Sequence, residues 1–150
     1  MSYKTIYLAD DDPDDRYLIC DAIRQINPEI VIIEVENGSD LLLSIQEKQF
    51  ALPVLIVLDM NMPRMNGLET LIAIRSNPFH AEIPAVMIST SADPKLIQSA
   101  YTAGIDDFIS KPNSYDEFRE LADKLVSKFF NEWIRQVRHE NLLARHFKFI

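Results

Sequence analysis

Val54-Leu55-Ile56-Val57-Leu58-Asp59 is the stretch that decides how the rest of the chain is read. Five apolar residues, three of them β-branched, run without interruption into an acid. Such a run fits a strand buried on both faces, as in a parallel sheet covered by helices. The residue that ends such a strand emerges at the sheet's carboxyl edge, where open α/β sheets bind their ligands. Asp59 is therefore expected at the rim of a rigid sheet. Taken alone, Asp59 reads equally as a turn acid or a helix cap. The flanking sequence turns the balance.

Outward from that run the pattern alternates. Thr5 to Ala9 reads as a first strand, ending at Asp10-Asp11-Asp12. Pro13 suits the first turn of a helix, where its missing N–H leaves no hydrogen bond unmade. That helix carries Ile19, Ala22, Ile23 and Ile26 and stops at Asn27-Pro28. Ile30 to Val35 is a second strand, and Asn37-Gly38-Ser39 opens a helix through Leu41, Leu42 and Ile45. After Asp59, Asn66-Gly67 closes a loop, and Leu68, Leu71, Ile72 and Ile74 mark a third helix ending near Asn77-Pro78. Ala85 to Ile88 is a fourth strand, followed by Ser89-Thr90-Ser91. Asp93-Pro94 starts a fourth helix and Gly104 ends it. A fifth strand around Asp107-Phe108-Ile109 runs into Ser110-Lys111-Pro112. A last helix begins near Ser114 with Phe118, Leu121, Ala122 and Leu125 on one face. Five strands alternating with five helices predict a parallel sheet with helices on both faces and right-handed crossovers. The strand ends then bring Asp10, Asp11, Asp59, Ser89 and Lys111 to one edge.

The 150 residues are 47% hydrophobic and 25% charged, the balance of one globular domain with a full core. The net charge of −8 offers no basic footprint for nucleic acid. It is unevenly spread: residues 1–130 hold 11 Lys and Arg against 21 Asp and Glu, and residues 131–150 hold four against two. The single cysteine, Cys20, lies in an apolar helical pattern and reads as a small core residue. No signal-peptide pattern opens the chain, and no apolar run reaches membrane-spanning length. A cytoplasmic location without membrane contact is the expectation. His80, His139 and His146 fit no catalytic or metal-ligand pattern and are expected at the surface.

Carboxylates converging at one edge repel each other and, once ionised, call for a cation. All-oxygen ligands suit a hard divalent ion, and Mg2+ typically takes one or two carboxylates, a carbonyl and waters. A carboxylate beside such an ion can act as a nucleophile toward phosphorus, giving an acyl phosphate. The phosphoryl oxygens then need positive charge and donors, which Lys111 and Ser89 carry.

As a set, Asp10-Asp11, Asp59 with Met62-Pro63 and Gly67, Ser89 thirty residues past Asp59, and Lys111-Pro112 resemble the receiver domain of bacterial two-component response regulators. The resemblance spans roughly residues 4–127. It implies a flavodoxin-like, doubly wound five-stranded parallel sheet of order 2-1-3-4-5, with the site at the topological switch point. It implies that Asp59 accepts the phosphoryl group from a sensor histidine kinase. Asp11 and Asp59 would ligate Mg2+ directly, Asp10 through water, and Asn61 by its backbone carbonyl. Ser89 would hydrogen-bond the phosphoryl group and Lys111 would pair with it. The Lys111-Pro112 bond would be cis. Phe108 matches the family's switch aromatic, often Tyr, and cannot donate a hydrogen bond. The Thr90-Ser91 pair and the long tail resemble stand-alone regulators, including those paired with phytochrome-type histidine kinases. On this reading the chain is a phosphoacceptor signalling protein rather than an enzyme. It is then expected to lack an output domain and to signal by protein contact or phosphorelay.

Two other readings stand beside it. Haloacid-dehalogenase-type phosphatases also use an aspartyl nucleophile after an apolar strand, but typically place a second Asp two residues on, where this chain has Asn61. A receiver acting only as a non-phosphorylated docking module is the other. The chain divides into a receiver, residues 1–128, and a C-terminal extension of the last helix and tail, residues 129–150. Phe129, Phe130, Trp133, Ile134, Val137, Leu142, Leu143, Phe147, Phe149 and Ile150 give the extension an apolar character that suits a homodimer interface. A tail folded back on the domain, or one that docks the kinase, would also cover these residues.

Overall fold

The computed structural model describes residues 4–48 and 53–130. Five parallel strands form one sheet: β1 (Thr5–Ala9), β2 (Val31–Val35), β3 (Val54–Asp59), β4 (Ala85–Ser89) and β5 (Asp107–Ser110), in the order β2-β1-β3-β4-β5. The flavodoxin-like order expected from the sequence is the order observed. Every residue of β3 is buried, as its unbroken apolar run requires. Alternate side chains feed two cores. Leu55 and Val57 join Ile6, Leu8, Val86 and Ile88 beneath the first and last helices. Ile56 and Leu58 join Tyr7, Ala85 and Met87 beneath the middle three. Each such side chain contributes about 1.5–3 kcal/mol on burial.

The helices begin where their capping residues dictate. Asp12 caps α1 (Pro13–Ile26), its side chain accepting from the N–H groups of Asp14 and Asp15. Asn37 caps α2 (Gly38–Ile45). Asn66 and Glu69 form a reciprocal capping box on α3 (Gly67–Ser76). Asp93 caps α4 (Pro94–Thr102), and Ser114 caps α5 (Tyr115–Lys124). Gly67 has to be glycine for steric reasons: a Cβ there would lie 2.5 Å from the Asp59 carbonyl oxygen. That close approach lets α3 begin directly beside the end of β3. Gly104 ends the α4 turn at φ +101°, a conformation that favours glycine.

Three expectations change. The Lys111–Pro112 bond, expected cis, is trans, as is every peptide bond among the described residues. Trans is the intrinsically favoured form for X–Pro, and with it Lys111 already reaches its acidic partners (below). His80, expected at the surface, is buried, with its Nε2 2.8 Å from the Lys48 carbonyl oxygen in the loop after α2. His139 and His146 lie outside the described residues. The third change is at the end of α5. The helix continues as a π-helical turn, Leu125–Phe130, in which Leu125, Val126, Phe129 and Phe130 are buried and Ser127 and Lys128 exposed. These positions continue the buried face of Phe118, Leu121 and Ala122, so all four side chains join the core shared with α1. Phe129 and Phe130, assigned to the extension on sequence grounds, are thus core residues. The rest of the extension lies outside the described residues.

Candidate functional site

The sheet places its chemistry by register. Ala9 pairs with Leu58, Asp59 with Ile88, and Ser89 with Ser110, so Asp10, Asp59, Ser89 and Lys111 all fall at the carboxyl edge. The Asp10 N–H donates to the Val35 carbonyl and the Lys111 N–H to the Ser89 carbonyl, which extends the ladder one residue beyond the strands.

Asp10 is fully buried and Asp59 nearly so, while Asp11 is exposed at the rim. One carboxylate oxygen from each of Asp10, Asp11 and Asp59 lies within 4.8 Å of the others. Asp10 Oδ1 accepts from the Asp12 N–H at 2.9 Å, and Asp59 Oδ1 from the Asn61 N–H at 3.3 Å. Asn61 itself is exposed, two residues past Asp59. Ser89 is buried, and its Oγ accepts from the Ser91 N–H at 3.0 Å. Phe108 is half-buried on β5, opposite Met87, against the core beneath α2, α3 and α4.

Lys111 is the hub. Its Nζ lies 3.3 Å from Asp59 Oδ2, 3.2 Å from Asp10 Oδ1 and 2.8 Å from Asp15 Oδ2. It is also 3.1 Å from Asp10 Oδ2, but without hydrogen-bond geometry, so that buried oxygen has charge pairing and no hydrogen bond. Two contributors escaped the sequence reading. Asp15 follows Asp10-Asp11-Asp12 by three residues, and only the packing of α1 against α5 shows that it meets Lys111. Arg16 donates to the Asp10 carbonyl at 2.6 Å and lies within ion-pair distance of Glu34 and Glu36, clamping the ends of β1 and β2 together.

The electrostatics follow from burial. Desolvation raises the pKa of Asp10, with Lys111 opposing. Asp59 is pushed up to about 7, by burial first and the Asp10 charge second, against the pull of Lys111. For Lys111 burial alone would lower the ammonium's pKa, but Asp15, Asp10 and Asp59 together hold it above its ordinary value. One ammonium therefore does not neutralise this group of carboxylates. The donor set is all oxygen, and a buried Asp10 oxygen lacks a hydrogen bond. Both features fit a hard divalent cation held by Asp10, Asp11 and Asp59.

Residues 6–123 match the family model described as the response regulator receiver domain. A 14.6 kDa protein of Leptolyngbya boryana is 33% identical over 113 residues, covering 75% of this chain and 82% of that protein. The cyclic di-GMP phosphodiesterase response regulator RpfG of Xanthomonas campestris is 31% identical over 121 residues, covering 81% of this chain. The chain spans only 31% of RpfG's length. Among solved structures, the phosphorylated cyanobacterial phytochrome response regulator RcpA superposes with a TM-score of 0.73 at 27% identity, covering 83% of this chain and 94% of that one.

Proposed function

The chain belongs to the response regulator receiver domain family, and from that premise we propose that it accepts a phosphoryl group on Asp59 from a sensor histidine kinase. The observation that carries the reading is the seating of Lys111 Nζ between the Asp10 and Asp59 carboxylates, beside a trio of acids within 4.8 Å. A carboxylate oxygen of Asp59 attacks phosphorus, the bond from phosphorus to the donor breaks, and the donor leaves with the bonding pair. With a phosphohistidine donor, the departing imidazole nitrogen takes up a proton.

The chain's own residues prepare that step. β3 holds Asp59 at the edge, and the Asn61 N–H fixes one of its oxygens. Lys111 supplies positive charge where the transferred oxygens arrive, and Ser89 supplies a hydroxyl from the neighbouring strand. Asp11 and Asp59 would hold Mg2+, with Asp10 acting through water and Asn61 through its carbonyl. When bound, the ion offsets the negative charge of donor and acceptor. Asn61 cannot serve as the general acid a haloacid-dehalogenase-type phosphatase places there, which favours a phosphoacceptor over a phosphatase.

The test is phosphorylation with acetyl phosphate and Mg2+. The chain should gain a single hydroxylamine-sensitive phosphoryl group, and Asp59→Asn should gain none. Undiminished labelling of that variant would overturn the assignment.

Signalling through protein contact or phosphorelay in the cytoplasm fits the acidic surface, and the apolar residues beyond Phe130 suit a homodimer contact. Light scattering on the full chain and on residues 1–130 separates the possibilities, since a shorter piece would cut into the core at Phe129 and Phe130. Two monomers, phosphorylated or not, would rule out the dimer.

A further inference from the structure

We propose that Asp15 is a positioning residue that keeps the Lys111 ammonium in the cleft once a divalent cation occupies the acidic trio. The inference rests on the cation reading above but is independent of phosphoryl transfer.

Lys111 has three carboxylate partners, and they are not equivalent. Asp10 and Asp59 both belong to the trio whose oxygens converge within 4.8 Å. A cation on that trio draws on the same two carboxylates that now face Nζ, and its own charge repels the ammonium. Asp15 stands outside the trio, and its contact with Nζ, 2.8 Å, is the shortest of the three. It is the partner that Lys111 would not have to share.

Local structure fixes both ends of this contact. Asp15 sits in the first turn of α1, where its N–H donates to the Asp12 cap at 3.3 Å. The Lys111 backbone is held by its N–H bond to the Ser89 carbonyl at 2.8 Å. Between that anchor and Nζ runs a flexible four-carbon stem, so the position of the charge depends on its side-chain partners alone. The Lys111 side chain is 9% exposed and that of Asp15 is 23% exposed. Asp15 therefore keeps some contact with water, and its contact with Nζ gives the ammonium a fixed partner while Nζ stands 3.3 Å from Asp59 Oδ2. A plain structural role, an acid favouring a helix N-terminus, is shared by Asp14 in the same turn. The side chain of Asp14 makes no contact with Lys111, so Asp14 supplies the control.

Lysine footprinting tests the proposal: brief acetylation of the full chain with acetic anhydride, with and without Mg2+, followed by peptide mass mapping. Lys111 of the wild type and of Asp14→Asn should stay protected in both conditions. In Asp15→Ala it should stay protected without Mg2+, held by Asp10 and Asp59, which also shows the fold is intact. With Mg2+ its labelling should rise about tenfold or more, the order expected for the loss of a charged hydrogen bond. Asp15→Glu should restore much of the protection. The proposal is overturned if Lys111 of Asp15→Ala stays protected in Mg2+, or is already exposed without it. The melting temperature of the wild type is measured alongside. If Mg2+ does not raise it, the cation reading fails and takes this proposal with it. If Mg2+ raises it but labelling of Asp15→Ala does not change, the role of Asp15 alone is lost.

Discussion

Lys111 Nζ lies 3.3 Å from Asp59 Oδ2, joining residues 52 positions apart in the chain. The contact is made across two strand ends, since β4 stands between β3 and β5 in the sheet. It puts the chain's own cation against the proposed phosphoacceptor, yet burial and the Asp10 charge still raise the Asp59 pKa well above its ordinary range. Burial and the neighbouring Asp10 charge outweigh a single ammonium. The site is therefore electrostatically incomplete in the protein alone, and the first prediction follows from that imbalance.

In metal-free protein, Asp59 should make stability fall as pH rises. Its folded pKa of about 7 lies above the ordinary 3.8, so between these values the folded state binds more protons than the unfolded one. The stabilising contribution is complete below about pH 4 and is lost as pH rises toward 7. Asp59→Asn removes this penalty while keeping an oxygen for Lys111 to bond. In EDTA at pH 8 the variant should melt above the wild type by roughly 2–4 °C or more. The gap should close as pH falls toward 4. A variant that melts below the wild type at pH 8 would contradict the assignment.

Mg2+ affinity should depend on Asp11 together with Asp59. Asp11 is the exposed member of the trio, so the ion meets it without displacing buried structure. Losing one of the few carboxylates leaves too little negative charge to offset the ion's dehydration. Asp11→Asn should weaken binding at least about tenfold, or about 1.4 kcal/mol. Calorimetric titration giving wild-type affinity would refute this.

Ser89 and Lys111 should couple phosphorylation to the face formed by α4, β5 and α5. Ser89 now accepts from the Ser91 N–H, so its hydroxyl proton remains available to an arriving phosphoryl oxygen. Lys111 follows β5 directly, three residues after Phe108. Ser89→Ala and Lys111→Ala should both still accept phosphate, Lys111→Ala the more slowly. Both should lose the change in NMR shifts around Phe108 that beryllofluoride causes in the wild type. Wild-type shifts in either variant would break the proposed link.

Much of this architecture could be read from local signals. The strand at Val54–Asp59 follows from its unbroken apolar run, and the helix starts follow from Asp12, Asn37, Asn66, Asp93 and Ser114, each with a side chain that accepts from the first turn. Once five strands alternate with five helices, handedness places the strand ends on one edge, and Asp10, Asp59, Ser89 and Lys111 go with them. These features depend on neighbours in the chain and on period, which the sequence carries directly.

Tertiary structure decided the rest, because distance and burial are properties of packing. The acidic run of Asp10 to Asp15 contains five aspartates. Only the packing of α1 against α5 selects Asp15 as the closest partner of Lys111. His80 reads as a surface residue until the fold buries it and offers the Lys48 carbonyl. Phe129 and Phe130 look like surplus apolar residues past the end of a helix, and the continued last helix seats them in the core shared with α1. The elevated pKa of Asp59 likewise depends on how completely the neighbouring strands and Met60 exclude water, a long-range quantity that no spacing of residues encodes.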